Sequence, residues 1–357
     1  MKKIIRKLVS VIISCSLVFG ITACGGSGSG KEAADTAAVA AAADTGEKII
    51  IRIAHDNSVT TPAQKAFEKF KEEVEEKSEG RIEVQIFPGG QMGSVQDTFE
   101  QCRRGEIEMS ASTTSNFVQT IPEFAVWESF YMFDSLDHAK KVLEGEAGVK
   151  MMEPLEAHGL TGIGYMLMGF RNFSNSKHPI NAVEDIKGLK MRGYNTLQIK
   201  AWESVGAVLT NVSWNELFTS LQQNLIDGQE CATASFYTEK FYEAQKYWSL
   251  TQHVFTNFLW YANTKFMDSL SAEDRKIVMD AAKTAIDYDW KEIADAEADA
   301  LEKIQSEAGV EVNEVSLEVR HALGDKMNAA VKDDIIANCG QEIYDMVFSA
   351  CEEARTN

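Results

Sequence analysis

Arg171, in the segment GFRNFSN, and Arg192, in KMRGYN, fall outside any helical or strand period and read as loop positions. A guanidinium on a loop has two uses. The commoner one is a solvated surface charge. The other is a clamp: its planar fork meets a carboxylate with two parallel hydrogen bonds. Charge balance makes the second use consequential. The formal net charge of the 357 residues is -19, and the first 23 residues hold four basic and no acidic side chains, so the remainder carries -23. A surface this acidic excludes nucleic acid and adhesion to anionic lipid. It also repels anions at long range, so an anion site here needs cations of its own.

Other chemistry is poorly represented. No P-loop, nucleophile elbow, HExxH or CxxC is present, and the histidines at 55, 138, 158, 178, 253 and 321 form no close pairs. The reading is therefore a binding protein, with no cofactor, no metal and no catalytic residues. Beyond residue 24 the cysteines are Cys102, Cys231, Cys339 and Cys351. Cys339 and Cys351 could bridge in an oxidising compartment.

Cys24 is different. Lys2, Lys3, Arg6 and Lys7 precede an apolar run from Leu8 to Ile21, the charged and apolar regions of an export signal. The run is shorter than the roughly 20 residues a spanning helix needs. Ile21-Thr22-Ala23-Cys24 resembles a bacterial lipobox, in which the cysteine receives a lipid; the competing reading is ordinary cleavage after Ala23, or a retained anchor. Residues 25–47, rich in Gly, Ser and Ala, have no apolar periodicity and read as a flexible tether. An exposed tether suits a cell bounded by one membrane, with the periplasm as the alternative. The only membrane contact expected is through the lipid.

The elements that must position the arginines follow an α/β pattern. Lys48–His55 is β-branched and reads as a strand; Pro62 opens a helix with Ala63, Ala66, Phe67, Phe70 and Val74 on one face, ended by Gly80. Arg81–Phe87 alternates as a second strand, Ser94–Arg104 as a helix, and Ile107–Ser112 as a third strand. This order implies a parallel sheet with right-handed crossovers, and ligands sit beyond the carboxyl ends of such strands. That edge holds His55–Ser58 and Ser112–Asn116, which otherwise are plain polar loops. Leu160–Met168 reads as a glycine-containing strand, and Ile180–Lys187 leads to a turn at Gly188. Ser213-Trp214-Asn215-Glu216 fits a capping box opening a helix toward Asn224, and Ser271-Ala272-Glu273-Asp274 is a second cap. After it a helical pattern runs without Gly or Pro to Ser306, either two helices with a kink or one helix lying across two lobes. About 310 residues after the tether exceed one comfortable core.

The segment Pro179–His253 resembles the TRAP-type transporter substrate-binding proteins, the DctP family (bacterial extracellular solute-binding protein family 7). The matching text is PINAVEDIKGLKMRG, AWESVGA, WNELFTSLQQNLIDGQE and KFYEAQKYWSLTQH, with GRIEVQIFPGGQMGS and IPEFAVWESFYMFD upstream. The resemblance covers nearly all the chain after residue 48. It implies a two-lobe, periplasmic-binding-protein-like (type II) α/β fold with a long helix spanning both lobes. Residues 48–168 plus 257–296 would form lobe 1, and 169–256 plus 297–350 lobe 2. It implies hinge closure on a small organic acid and delivery to the small and large integral membrane subunits of a TRAP transporter by a monomeric receptor. A module feeding a sensor is the alternative.

Residue by residue, Arg192 falls on the family's carboxylate clamp and Arg171 on a second, less uniform arginine. Trp214 falls on a pocket wall, or staples its helix. Asn195 adds a polar contact or stabilises a turn. His253 matches a position near the cleft, or is a satisfied structural group. Cys231 and Ala232 stand where the family commonly has asparagine and proline, and the proline usual after the clamp is missing in Arg192-Gly193-Tyr194. Cysteine is a poor replacement for an amide donor. Asp56, Asn57, Thr113 and Asn116 fall on cleft-facing loops of the first lobe. Their types favour a hydroxylated acid or sugar acid.

Overall fold

The computed structural model describes residues 48–356, so Cys24, the export segment and the 25–47 tether lie outside the described residues. Strand β1 (Ile49–His55) leads to α1 (Pro62–Lys77), where Thr61 accepts from the Gln64 amide and Pro62 occupies the first turn. The apolar stripe of α1 buries Phe67 and Phe70 edge-on against Trp260, at 5.0 and 4.8 Å between ring centroids. Next come β2 (Ile82–Phe87), α2 (Val95–Arg104, opened by a Ser94–Asp97 capping box) and β3 (Met109–Thr113). β1 pairs in parallel with both β2 and β3, the arrangement the order of elements predicted. Helices α3 (Leu136–Leu143) and α4 (Glu146–Lys150) follow.

The structure corrects the loop assignment of both arginines. β4 (Leu160–Asn175) does not stop near Met168 but runs through Arg171. Gly169, at φ +99°, sits in a register shift between β4 and its neighbour, and a Cβ there would lie 3.1 Å from Glu297 Cδ. Gly169, just past the expected end of this strand, is a bend beneath a helix. Arg192 is likewise inside a strand, β5 (Lys190–Gly193). Their polar neighbours broke the apolar pattern because this part of the sheet faces a cleft.

The chain continues through α5 (Thr196–Ser204), β6 (Val208–Asn211), α6 (Trp214–Gln222), β7 (Gly228–Ala232), α7 (Thr233–Thr238) and β8 (Tyr247–Leu250). At α6 the capping box forms only in part: Ser213 Oγ donates to Glu216 Oε2 at 2.7 Å, without a side-chain bond to the helix amides. β9 (Phe255–Asn263) is buried along its whole length and precedes α8 (Thr264–Ser269). The last elements are α9 (Ala272–Ser306), β10 (Glu311–Glu314), α10 (Leu317–Cys339) and α11 (Gln341–Thr356). The described strands form one sheet ordered β2-β1-β3-β9-β4-β7-β5-β6, with β8 joining β4 to β10.

Two lobes follow from that order. β9 runs antiparallel to β3 and β4 in the first; residues 171–175 of β4 pair with β7 in the second. Arg171 is thus the first residue of the crossing strand to pair with the second lobe. α9 is one unbroken helix of 35 residues, capped by Ser271 as expected. At 1.5 Å per residue it is about 52 Å long. It packs on α1 and β4 and also on α7 and β10. Two carboxylates tie it to the sheet and to α7: the buried Asp289 accepts from the Leu167 amide at 2.7 Å, and the half-buried Glu297 from the Thr233 and Ala234 amides at 3.2 and 2.7 Å.

α10 packs on α5 and on the 3₁₀ segment Pro122–Glu128, while α11 packs on α3 and α4. Cys339 and Cys351 are both free and buried, and burial pushes their thiols up to about 11 and about 12. Among the described residues no helix is long and apolar enough to cross a membrane.

Candidate ligand-binding site

The carboxyl ends of β1, β3, β5, β6 and β7 converge on a cavity of about 450 Å³. That is a size suited to a small ligand. The first lobe contributes Asp56 and Asn57 after β1, Thr113 at the end of β3 with Ser115 and Asn116 after it, and the start of α2. The second contributes Arg171, Arg192, Tyr194, the Asn211–Glu216 turn, Cys231 and Ser235.

The two arginines are not equivalent. Arg171 is already engaged: Nε and Nη2 fork onto the Glu230 carboxylate (Nη2 to Oε1, 2.8 Å), Nη2 also reaches the Glu230 carbonyl, and Nη1 donates to Thr256 Oγ1 at 3.2 Å. Burial opposes both charges, yet each holds the other: the guanidinium is shifted upward, and the Glu230 carboxyl falls well below the usual range. Behind it His253 Nε2 lies 2.9 Å from Glu230 Oε2, and Nδ1 2.8 Å from Thr251 Oγ1. Burial lowers the imidazole, so the neutral ring donates to Glu230 and accepts from the hydroxyl.

Arg192 has no carboxylate. Its Nε donates to the Val212 carbonyl at 2.9 Å, and its Cζ lies 4.9 Å from the Tyr194 ring centroid and 5.4 Å from that of Trp214. Held between two aromatic faces, it keeps both Nη groups without a partner among the described residues, facing the cavity. Burial first, then the positive charge of Arg171, pulls it down to about 10. A buried cation lowered by a like charge is a site that an anion would stabilise.

The remaining expected residues divide. Asp56, Asn57, Thr113, Asn116, Trp214 and Cys231 line the cavity with the two arginines. Asn57 Nδ2 contacts Met168 Sδ at 3.4 Å, and Asn116 Nδ2 donates to Ser112 and Thr113 hydroxyls, leaving both amide oxygens free. Cys231 is buried and its thiol is pushed upward by burial, so it offers only a weak neutral donor. Asn195 and His253 do not line the cavity. Asn195 Oδ1 caps α5 at the Gln198 amide (2.8 Å), and its Nδ2 donates to the buried Glu128 at 3.0 Å. His253 is screened from the cavity by Glu230. For both, the structural alternative is what the geometry presents.

Tyr194 and Glu230 went unread. Tyr194 follows Arg192 by two, the spacing that puts strand residues on one face. Glu230 is a carboxylate in the fully buried strand GQECA, and buried carboxylates are paired.

A model of the bacterial extracellular solute-binding proteins, family 7 (DctP), matches residues 53–337. The 2,3-diketo-L-gulonate-binding periplasmic protein YiaO of Escherichia coli K12 is 30% identical over 292 residues, 82% of this chain and 88% of that protein. The sugar acid binding protein DctPAm of Advenella mimigardefordensis, crystallised with galactonate, superposes with a TM-score of 0.83 at 32% identity, covering 86% of this chain and 99% of that one. A TRAP periplasmic solute-binding protein of Sulfurospirillum deleyianum with bound succinate gives 0.79 at 26% identity, over 85% and 99%.

Proposed function

Because the chain belongs to the bacterial extracellular solute-binding proteins of family 7, which bind substrates for transporters rather than turn them over, we propose that it captures a small hydroxylated carboxylate and delivers it to the membrane subunits of a TRAP transporter. The observation that carries this reading is the buried, carboxylate-free guanidinium of Arg192 on a cavity that also carries the amides of Asn57 and Asn116 and the hydroxyl of Thr113. Relatives named for diketogulonate and galactonate support the sugar-acid side of it. Closure follows from the layout. The ligand's carboxylate meets Arg192 in the second lobe, its hydroxyls meet Asn57, Thr113 and Asn116 in the first, and each contact made draws the lobes together.

Thermal-shift screening of the chain against dicarboxylates, keto acids, uronates and aldonates tests the class. A ligand at a hundredfold its Kd stabilises by about 2.7 kcal/mol. No shift with any of them removes the organic-acid reading.

The Cys24 lipobox and the tether after it support an extracytoplasmic, lipid-anchored receptor. Cys24→Ala should move the protein from the membrane fraction to the soluble one. An unchanged distribution would refute the anchor.

A further inference from the structure

Asp56 is the one carboxylate that the first lobe sets on the cavity, and no other residue's side chain pairs with it. Its Oδ1 is sealed from solvent without a hydrogen bond, and the carboxylate's bond is to its own backbone amide. Buried polar atoms of this kind are satisfied by a protein group, an ordered water or a ligand, and on the wall of a binding cleft a ligand can supply the donor. A carboxylate only accepts, so what it takes from a ligand is an O–H or N–H.

The charges around it narrow the ligand further. Of the two guanidiniums on the cavity, Arg171 is neutralised by Glu230 and Arg192 alone is free. Arg192 is the cation whose charge Asp56 feels, Glu239 the neighbouring anion, and Glu216 an additional acid at the exposed rim. One ligand carboxylate is therefore matched by one cation. A second carboxylate, at the far end of the same ligand, would meet Asp56 and no unpaired cation.

We infer that Asp56 is a specificity-determining residue: it accepts hydroxyls at the end of the ligand remote from Arg192 and excludes a second carboxylate there, so that the substrate is a hydroxylated monocarboxylate rather than a dicarboxylate. This rests on the organic-acid reading above and narrows it. Burial pushes the Asp56 carboxyl up to about 6, so the group is charged at pH 8, where the exclusion is to be measured.

The test compares pairs that differ only at the remote carbon. Calorimetric titration of the full chain in mild detergent at pH 8 would use galactonate with galactarate, gluconate with glucarate, and erythronate with the corresponding tartrate. The parent should prefer the monoanion of whichever pair binds by at least about tenfold, since like charges brought together cost several kcal/mol. Asp56→Asn, which keeps the shape and removes the charge, should bring that ratio to about one or invert it. Asp56→Ser serves as a second variant, and the melting temperature of each reports that it folds. A parent that binds both members equally, or an Asp56→Asn protein that keeps its preference, overturns the inference while leaving the organic-acid reading intact. Failure of the parent to bind any of the six removes both.

Discussion

Replacing Arg192 with methionine separates the work of the two arginines. The side chain is buried, its Nε is tied to Val212, and its Nη groups have no protein partner. Methionine fills much of the same volume between Tyr194 and Trp214 without the charge. In the ligand complex the loss leaves a desolvated carboxylate unpaired, which costs roughly 2–5 kcal/mol. That is about 30-fold to several thousandfold in Kd. In the free protein the consequence has the opposite sign. Arg192 lies below its ordinary range because burial and Arg171 disfavour its charge, so removing it relieves a penalty.

Arg192→Met should therefore melt at or above the parental temperature while losing affinity. Calorimetric titration with the best acid from the screen, beside a melting curve without ligand, reads both. Affinity within threefold of the parent would refute the clamp. A melting point lowered by more than a few degrees would refute the claim that Arg192 is held against its own preference.

Arg171→Met should behave in the contrary way, because it strands Glu230 in the interior: breaking a buried pair costs roughly 3–5 kcal/mol, visible as a large fall in melting temperature. The double variant Arg171→Met with Glu230→Gln should recover part of that loss, and no recovery would show that the pair is not the cause. Gly169→Ala should destabilise by about 1–2 kcal/mol, since the residue sits at φ +99° and its Cβ would press on Glu297; a chemical-denaturation midpoint equal to the parent's would contradict the bend. The two desolvated α9 carboxyls, Asp289 and Glu297, predict a pH effect. Burial raises both Asp289 and Glu297 to about 7, above their unfolded values, so the folded state binds the extra protons and these groups favour folding as pH falls from about 7 toward 4. Each contributes about 2 kcal/mol between pH 7 and 5.5. His55 and His253, buried neutral and lowered, pull the other way below their ordinary range, so the informative quantity is the difference between the parent and the Asp289→Asn, Glu297→Gln protein. That difference should shrink on acidification, and a constant one would exclude the two carboxyls as its source.

What was legible in the chain and what was not divide along a physical line. The β1–β3 crossover and the helical extent of α9, though not whether it kinks, were readable because each announces itself within one segment: β-branched runs, Ser caps, a 3.6-residue stripe. Arg171 and Arg192 were readable as a clamp candidate pair, but not as unlike members of it. That distinction lives in Glu230, 59 residues beyond Arg171, which pairs with it only because β7 lies beside β4. The assignment of both arginines to loops failed for a related reason. A strand that lines a cleft carries polar residues on its buried face, and so loses the alternation by which strands are recognised. His253 and Asn195 stayed open between two roles because both lie close to the cleft. They sit within one residue layer of the cavity, and spacing cannot tell a residue that faces a ligand from one that holds the group facing it. Their partners decide it: His253 is committed to Glu230 and Thr251, Asn195 to Glu128 and its own helix, whereas Arg192 and Asp56 are the charged groups on this cavity left uncommitted. A binding site in this fold is therefore located less by which residues are polar than by which remain unsatisfied once the rest of the protein has been paired.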